Sequence, residues 1–330
     1  MPTGAHTKET PGQQHDRIEP VQAHDRIFGH SAKGTPGSRE DHAATNRSVN
    51  TEVVLISVSA NNSLGSVGAL WRYPVKSMLG EELNATSVGT RGIFGDRIYA
   101  IVDPDSGKVA SAKNPKKWPH LFDCRAAFVD PPESSGDFPP VRVTLPDGRI
   151  TRSDEGGFND AISAMLGRAG KLQTAVPDKP VLEEYWPDIE GLDLRDAVTD
   201  EDLPEGTFFD VGMVHVLTTA TLDSLRAVYP DGRFEVRRFR PNIVIKTPAD
   251  EKSFLENTWV DRTLMIGDEV RLKITMDCGR CVMTTLAQAD LPKDPGILRA
   301  AAQHNQAHVG IYADVEQAGM IRRGDAVRVE

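Results

Sequence analysis

Short β-prone runs separated by turn residues begin near Gly65 and continue through the first half of the chain. Turn sequences stand at Pro104-Asp105-Ser106-Gly107 and at Pro146-Asp147-Gly148. The runs beside them are 97–102, 108–112, 141–145 and 149–152. Strands this short, joined by tight turns, favour a small barrel or rolled sheet. A helix predicted at 158–166, with one apolar face and Gly167 as its stop, would plug that sheet.

The segment ahead of these strands has a different composition. About the first fifty residues are rich in Gly, Pro, Ser, Thr, Gln and charged residues, with only scattered large apolar side chains. Such a segment cannot bury enough surface to fold, so residues 1–62 are predicted to form a disordered tail. The echo of His15-Asp16-Arg17-Ile18 in His24-Asp25-Arg26-Ile27 leaves weak metal binding or a partner motif as the alternative.

A second set of elements follows an acidic, Pro-bearing stretch at 178–205, which has the composition of a linker and irregular loop. The predicted strands are 213–217, 239–245, 270–275 and 309–315, and the predicted helices are 222–228 and 295–303. Pro295 stands at the first position of the second helix, where proline is favoured. The pattern predicts an α+β fold that is mainly β. A chain of 330 residues with 39% hydrophobic content is long enough for two domains.

Composition also narrows the class of protein. A net charge of −10 argues against general nucleic-acid binding. The longest apolar run, 53–58, is far below the roughly 18 residues that a membrane span requires. Three cysteines give no even disulfide framework, which agrees with a reducing compartment. We therefore predict a cytoplasmic protein that binds neither nucleic acid nor a membrane.

Two of the three cysteines stand close together in Cys278-Gly279-Arg280-Cys281. One Cys-x-x-Cys pair cannot supply the four thiolates of a structural zinc site or an iron–sulfur cluster. A redox-active disulfide is one reading, but such pairs usually open a helix after a strand, whereas this pair lies between β-prone runs. The remaining thiol, Cys124, alternates like a strand residue and is predicted to pack in the core.

Basic and hydroxyl-bearing residues recur at predicted strand ends, where sites commonly form. They are Lys76 with Ser77, Arg97, Arg240 with Asn242, and Arg280. Arg237-Arg238-Phe239-Arg240 is the densest basic cluster, and guanidinium groups bind phosphate or carboxylate in bidentate fashion. A solvated strand edge would explain this cluster equally well. Thr218 and Thr219 begin a helix after a strand, where they could bind a phosphate or simply cap the helix.

Five motifs occur in a fixed order: Tyr73-Pro74-Val75-Lys76-Ser77, Gly95-Asp96-Arg97, Phe239-Arg240-Pro241-Asn242, Cys278-Gly279-Arg280-Cys281 and Gly324-Asp325. In this order they resemble the MOSC family of molybdenum-cofactor domains. The resemblance runs from about Val67 to the C-terminus. It implies an N-terminal MOSC β-barrel domain at 63–185, packed on a MOSC β-barrel domain with short helices at 186–330.

The resemblance also implies a cofactor, molybdenum-molybdopterin, and residues that hold it. The family's molybdenum ligand falls on Cys281, and Cys278 is then a neighbour. The cofactor-binding positions fall on Lys76, Ser77, Arg97, Arg240, Asn242, Arg280 and Tyr312, and less securely on Thr218 and Thr219. Arg280 is expected to favour the thiolate form of Cys281, because a neighbouring cation lowers a thiol pKa. Cys281 and Arg280 are the expected catalytic residues.

Within the family the chain is similar to the amidoxime-reducing components, which reduce N-hydroxylated compounds. This implies an oxidoreductase acting on small N-hydroxylated or N-oxygenated substrates. The alternative is a carrier of sulfur or of molybdenum cofactor without turnover of its own. The chain has too few cysteines for an iron–sulfur cluster and contains no Gly-x-Gly-x-x-Gly fingerprint, so a separate electron-donor protein or reductase is expected.

Overall fold

The structure, a computed structural model, describes residues 63–133, 137–174, 176–186 and 195–330. The predicted tail at 1–62, with its repeated histidine motif, lies outside the described residues. The strands are β1 (Gly65–Arg72), β2 (Glu81–Leu83), β3 (Ala85–Gly89), β4 (Gly92–Ile93), β5 (Ala100–Val102), β6 (Arg125–Phe128), β7 (Val141–Thr144), β8 (Ile150–Arg152), β9 (Lys171–Gln173), β10 (Val181–Trp186), β11 (Ala197–Asp202), β12 (Val214–Thr218), β13 (Ile243–Lys246), β14 (Thr263–Ile266), β15 (Val270–Gly279), β16 (His308–Gln317), β17 (Gly319–Arg322) and β18 (Ala326–Val329). The helices are α1 (Phe158–Leu166), α2 (Thr219–Val228), α3 (Val236–Phe239) and α4 (Pro295–Asn305), with 3-10 turns at Leu121–Asp123, Leu255–Trp259 and Val282–Thr285.

Seven strands close into a barrel. Their order is β1, β13, β12, β16, β15, β14, β18 and back to β1. Strands β12 and β13 are parallel, and the other neighbours in the ring are antiparallel. Closure pairs the edges that an open sheet would leave free. The predicted α+β, mainly β fold is confirmed.

Two apolar cores flank the segment that contains the Cys-x-x-Cys pair. The barrel core includes Leu70, Val216 and Ile311, and each such buried side chain contributes about 1.5–3 kcal/mol. A second core, built mainly from residues 75–166, includes the fully buried Cys124, as predicted. Cys281 packs against this second core. The end of β15 and the turn after it therefore connect the two cores.

Helix α1 occupies the predicted residues, Phe158–Leu166. Its buried face consists of Phe158, Ile162 and Leu166. The helix ends at Gly167, which has a φ of 67° and donates its N–H to carbonyls of the last turn. Glycine adopts this left-handed conformation at little cost, which explains the stop.

Three predicted segments differ from the structure. The supposed linker at 178–205 contains the antiparallel pair β10–β11. Residues 108–112 form only isolated bridges, although the turn before them is present, with Gly107 donating to the Asp103 carbonyl at 2.9 Å. The strand predicted at 239–245 begins at Ile243 instead, because α3 continues through Phe239 and residue 240 then takes a left-handed conformation.

Among the residues described, no helix has the length and apolar content that crossing a membrane requires.

Candidate functional site

Three predicted site residues have a left-handed backbone conformation. The φ angles are 64° at Ser77, 49° at Arg97 and 55° at Arg240. Residues other than glycine seldom adopt such angles. The three belong to separate loops, after β1, before β5 and between α3 and β13. Backbone strain of this kind persists where surrounding contacts hold it, and it concentrates at functional sites.

Arg97 and Arg240 meet at the ring of Tyr73. The guanidinium carbon lies 4.2 Å from the ring centroid for Arg240 and 4.9 Å for Arg97. Arg240 also donates to the Met78 carbonyl at 2.6 Å. Burial lowers the pKa of Arg240 to about 10, and the charge of Arg97 lowers it further in the same direction. Two like charges, a buried Arg240 and a half-buried Arg97, thus share one aromatic ring, an arrangement that favours a bound anion.

Asp96 is the carboxylate within this pair of arginines. It forms an ion pair with Arg97 and accepts the Tyr73 N–H at 2.7 Å. Asn242 donates from Nδ2 to Asp96 at 3.0 Å and accepts the His215 N–H at 3.1 Å. Asn242 therefore joins the cluster by fixing Asp96, which holds Arg97 in turn.

A second charged chain leads from Lys76 toward the thiol. The Lys76 ammonium donates to the Phe208 carbonyl at 2.8 Å and to Asp210 Oδ1 at 2.9 Å. Lys113 Nζ lies 3.8 Å from the same Asp210 oxygen and 3.1 Å from Glu184 Oε2. Alternating charges of this kind stabilise one another when they are withdrawn from water.

The pKa shifts follow from this arrangement. Burial lowers the pKa of Lys76 to about 8, although Asp210 opposes the shift. Burial alone would raise the pKa of Asp210, but Lys76 and Lys113 hold it well below its usual range. Burial alone would lower the pKa of Lys113, but Asp210, Cys281 and Glu184 raise it. At neutral pH both lysines are therefore cationic.

Arg280 is bonded to Cys278. Its Nη1 donates to the Cys278 sulfur at 2.8 Å, and its Nη2 donates to the Phe239 carbonyl at 3.0 Å. His215 and Tyr312 also lie close enough to this sulfur to lower its pKa. Burial alone would raise the pKa of Cys278, but Arg280 and His215 lower it to about 6. Cys278 is thus the counter-ion of Arg280.

Cys281 is half-buried and lies at the start of the turn Val282–Thr285. Burial, followed by the charge of Glu184, raises its pKa to about 11, although Lys113 and Arg280 act in the opposite direction. Arg280 thus acts on Cys281 in the expected direction, but burial and Glu184 outweigh it and the net pKa is raised. The guanidinium bonds the other sulfur, and Lys113 is the stronger of the two cations that act on Cys281.

The two remaining predictions near the cluster concern Ser77 and Tyr312. Ser77 is buried, and its hydroxyl oxygen accepts the Ala112 N–H at 3.0 Å, which ties two loops together. The Tyr312 ring lies 5.6 Å from the His215 ring and packs on Gly212, where a Cβ atom would come within 2.8 Å of the ring. Both residues thus lie beside the cluster, and their part in binding a cofactor stays a prediction.

Thr218 and Thr219 are not brought to this cluster. Thr218 caps α2 by accepting the Thr221 N–H at 3.1 Å, and it donates to Glu256 at 2.6 Å. Thr219 shares a hydrogen bond of 2.9 Å with Thr247. The buried carboxylate of Glu256 occupies the anion position at this helix end. Of the two readings, the structure supports the cap.

Strand length separates these threonines from the arginines. Asn242 bonds His215 at the start of β12, whereas Thr218 is the last residue of that strand. Three residues of extended chain span about 10 Å. The chain enters the charged cluster at Phe208 and Asp210 instead.

The dense basic run divides into separate roles. Arg237 forms surface ion pairs with Glu235 and Asp290 at 2.7 and 2.6 Å. Arg238 is fully buried and bonds only to backbone carbonyls among the residues described. Arg240 alone enters the charged cluster. An anion pocket and a solvated edge explained this run equally well from sequence. The structure gives Arg237 a surface position, Arg238 an interior position and Arg240 a place in the charged cluster.

Several members of the cluster were not predicted as site residues: Tyr73, Asp96, Lys113, Glu184 and Asp210. Tyr73 and Asp96 belong to two of the five sequence motifs, so those motifs could have marked them as site residues. No local pattern marks the other three. They reach the site through pairings between distant segments, such as the contact of Lys113 with Glu184.

Comparisons with known proteins agree with these motifs. The family model for the MOSC domain matches residues 205–328, and that for the MOSC N-terminal beta barrel domain matches residues 64–145. Mitochondrial amidoxime reducing component 2 of Macaca fascicularis is 27% identical over 289 residues, which cover 80% of this chain and 83% of the relative. Mitochondrial amidoxime-reducing component 1 of Danio rerio is 28% identical over 237 residues, covering 68% and 69%.

Among solved structures, the YUAD protein from Bacillus subtilis matches 80% of this chain and 94% of its own, with 12% identity and a TM-score of 0.40. The two domain matches follow one another in the order in which the motifs occur. Together with the closed barrel, they show that the chain belongs to the MOSC-domain family.

Proposed function

We propose that this protein binds molybdenum-molybdopterin and reduces small N-hydroxylated or N-oxygenated compounds, with Cys281 as the molybdenum ligand. The observation that carries the proposal is the meeting of Arg97 and Arg240 at Tyr73, in one charged cluster with the Cys281 thiol. The relatives reported above are named for reducing amidoximes, which are N-hydroxylated compounds.

The residues present fit such a cofactor. Arg97 and Arg240 have one carboxylate, Asp96, between them, so the buried positive charge exceeds the negative charge at that point. Arg280 Nε is buried and has no hydrogen-bond partner among the residues described. A phosphate-bearing ligand would satisfy both features. A cysteine thiolate is the soft ligand that suits a redox-active metal with sulfur donors.

When bound, the cofactor would supply a redox metal that can take an oxygen atom from a substrate. The chain's own residues would bind and orient it. Arg97, Arg240 and Lys76 supply cationic groups for its phosphate. Cys281 must lose its proton from Sγ to serve as a ligand, and the Lys113 ammonium favours that loss while Glu184 opposes it. The metal's own charge would complete the deprotonation.

Electrons would come from a separate donor protein or reductase. Three cysteines cannot ligate an iron–sulfur cluster through four thiolates. This partner stays a proposal, as does a cytoplasmic location, since the relatives' names place those proteins in mitochondria.

The first test is the molybdenum and pterin content of the full chain, purified from a host that makes molybdopterin. Benzamidoxime reduction with a chemical electron donor follows on the same sample. Stoichiometric molybdenum with turnover supports the proposal. Bound cofactor without turnover favours a cofactor carrier, and no bound cofactor overturns both the reductase and the cofactor carrier.

Variants of the paired cysteines test the ligand. Cys281→Ser should abolish molybdenum-dependent activity, because a hydroxyl is a poor substitute for a thiolate on a soft metal. Cys278→Ser should keep most of the molybdenum, since serine can still accept the Arg280 hydrogen bond. Equal loss in the two variants would contradict the assignment of Cys281. Arg240→Ala and Lys76→Ala should each lower cofactor occupancy, measured as molybdenum bound per folded protein.

A further inference from the structure

Arg238 is a fully buried cation bound by carbonyl oxygens. Its Nε donates to Arg233 O at 2.8 Å, its Nη1 to Thr284 O at 3.3 Å and Leu286 O at 3.1 Å, and its Nη2 to Pro292 O at 2.8 Å. The side chain has 0% exposure, and burial lowers its pKa. An unpaired buried charge is costly unless polar groups surround it. The Arg238 guanidinium is therefore expected to fix the positions of the carbonyl groups that surround it.

Three of these four carbonyls belong to the segment that follows Cys281. The carbonyls of Thr284, Leu286 and Pro292 span the 3-10 turn and the loop beyond it. Thr284 in turn bonds Cys281, since both its N–H, at 3.3 Å, and its hydroxyl, at 3.1 Å, donate to the Cys281 carbonyl. A continuous set of hydrogen bonds therefore runs from the Arg238 guanidinium to the residue that bears the thiol.

Phe239 and Arg240, which follow Arg238 in the chain, contact other parts of the site. The Phe239 carbonyl accepts Arg280 Nη2 at 3.0 Å, and Arg240 donates to the Met78 carbonyl at 2.6 Å. The short segment 238–240 thus contacts the residue before Cys281, the loop after it and the loop that contains Lys76.

Surface ion pairs offer a competing account of the same loop. Arg237 and Arg233 contact Asp290 at 2.6 and 2.9 Å, but the Asp290 side chain is 62% exposed. Exposed ion pairs typically contribute less than about 1 kcal/mol. The Arg238 guanidinium, in contrast, is fully buried, and its contact with the Thr284 carbonyl is buried as well.

We propose that Arg238 is a positioning residue that fixes the segment 282–292 and, through Thr284, the position of the Cys281 thiol. The inference rests on the proposed function only in treating Cys281 as the metal ligand. Its effect on the segment is independent of any metal.

The test uses native-state alkylation of the full chain, produced in a host without molybdopterin synthesis, with each cysteine followed by peptide mass spectrometry. Cys124 and Cys278 are buried, whereas Cys281 is half-buried. In Arg238→Met, the Cys281 alkylation rate should rise roughly tenfold, because the carbonyls of Thr284, Leu286 and Pro292 lose their donor. Cys124 is fully buried in the core against which Cys281 packs, so it reports opening of that core and should keep its rate.

Two further variants make the result decisive. Arg238→Lys retains the charge and should fold, but one ammonium reaches fewer carbonyls, so the Cys281 rate should rise by a smaller factor. Arg237→Met removes a neighbouring arginine and should leave the rate unchanged. If Arg238→Met also raises the Cys124 alkylation rate, the Cys281 rate in Arg238→Lys decides the test. Unchanged Cys281 rates in the folded Arg238 variants, or an equal rise in Arg237→Met, would overturn the proposal.

Molybdenum content separates this inference from the proposed function. In the loaded protein, Arg238→Lys should release molybdenum several-fold faster than wild type on dilution at the same melting temperature. If the wild-type chain takes up no molybdenum, the proposed function fails. The alkylation rates still decide whether Arg238 fixes the segment.

Discussion

Arg237, Arg238 and Arg240 lie almost side by side in the sequence, yet each guanidinium has a different kind of partner. Arg237 pairs with surface carboxylates, Arg238 with carbonyls, and Arg240 with Tyr73 and the Met78 carbonyl. Residue type alone predicts an anion pocket equally for all three. The backbone separates them, because α3 ends at Phe239 and Arg240 takes a left-handed turn.

The contact between Arg280 and Cys278 could have been predicted from the sequence. Alternate residues of a strand point to the same face, so residues two apart are neighbours. Cys278 and Arg280 have this spacing at the end of β15. The family resemblance instead predicts that Arg280 acts on the adjacent Cys281. The charges of Lys113 and Glu184 near that thiol could not be predicted, since they come from distant segments.

Lys76 should make the free energy of unfolding depend on pH. Its pKa is about 8 in the folded protein, against an ordinary value of 10.5. Between these values the unfolded chain binds a proton that the folded chain does not, so stability rises with pH. Relative to Lys76→Met, wild type should gain on the order of 3 kcal/mol across this window. Urea unfolding at several pH values measures the difference.

Lys113 is the control for that experiment. Its pKa is raised, so it stays protonated in the folded protein across the same window. Below its unfolded pKa it contributes a constant amount, and this contribution declines only at higher pH. Lys113 also contributes a smaller part of the shift at Lys76, so the stability difference between wild type and Lys113→Met should change much less between pH 8 and 10 than the difference for Lys76→Met. Parallel curves for wild type and Lys76→Met would show that the Lys76 pKa is not lowered.

The sequence pattern predicts the ends of a helix or strand correctly where local chemistry sets them. Helix α1 has one apolar face and a glycine stop, and both its ends fall where predicted. The β10–β11 pair was missed because β11 contains Thr199, Asp200, Glu201 and Asp202. Acidic residues are poor strand formers, and this strand exists through its pairing with Val181–Trp186. Its existence depends on tertiary contacts that a linear pattern does not contain.

Gly310 should be indispensable where β16 passes β12. Its φ is 86°, and a Cβ atom there would lie 2.3 Å from His215 Nε2 and 2.6 Å from the Val216 carbonyl oxygen. Gly324 has a similar φ of 92° but open space around it. Gly324→Ala should cost about 1–3 kcal/mol from backbone strain alone. Gly310→Ala should cost clearly more, because a backbone atom must also move.

Chemical denaturation of both glycine variants measures these costs, and equal losses would show that the barrel wall yields at Gly310. Because His215 also lies beside Cys278 and acts on its pKa, Gly310→Ala should in addition raise the Cys278 alkylation rate. Gly324→Ala should leave that rate unchanged.

Charge is distributed unevenly over the whole molecule. The net charge is −10, yet Lys76, Arg97, Lys113, Arg240 and Arg280 gather around one site. Asp96, Asp210, Glu184 and Cys278 neutralise part of this charge within hydrogen-bonding distance. An acidic exterior with a basic interior site discourages nonspecific binding of polyanions while it leaves a local attraction for a small anion.

The closure of the barrel makes a prediction for the whole chain. Strand β1 pairs with β13, with Leu70 opposite Ile243, and with β18, with Ser66 opposite Ala326. The MOSC match, residues 205–328, contains every barrel strand except β1 in full or nearly so. Without β1, the backbone edges of β13 and β18 and the apolar interior beneath them would be uncovered. Free edges of this kind pair with other chains.

Residues 205–328 expressed alone should therefore aggregate, whereas residues 63–330 should be monomeric and unfold cooperatively. Co-expression of residues 63–190 with residues 191–330 should restore soluble protein, since the first piece returns β1 to the gap. Size-exclusion chromatography and circular dichroism measure both outcomes. A monomeric, cooperatively unfolding 205–328 fragment would contradict the argument, because it would mean that β13 and β18 can close the barrel without the strand that lies between them.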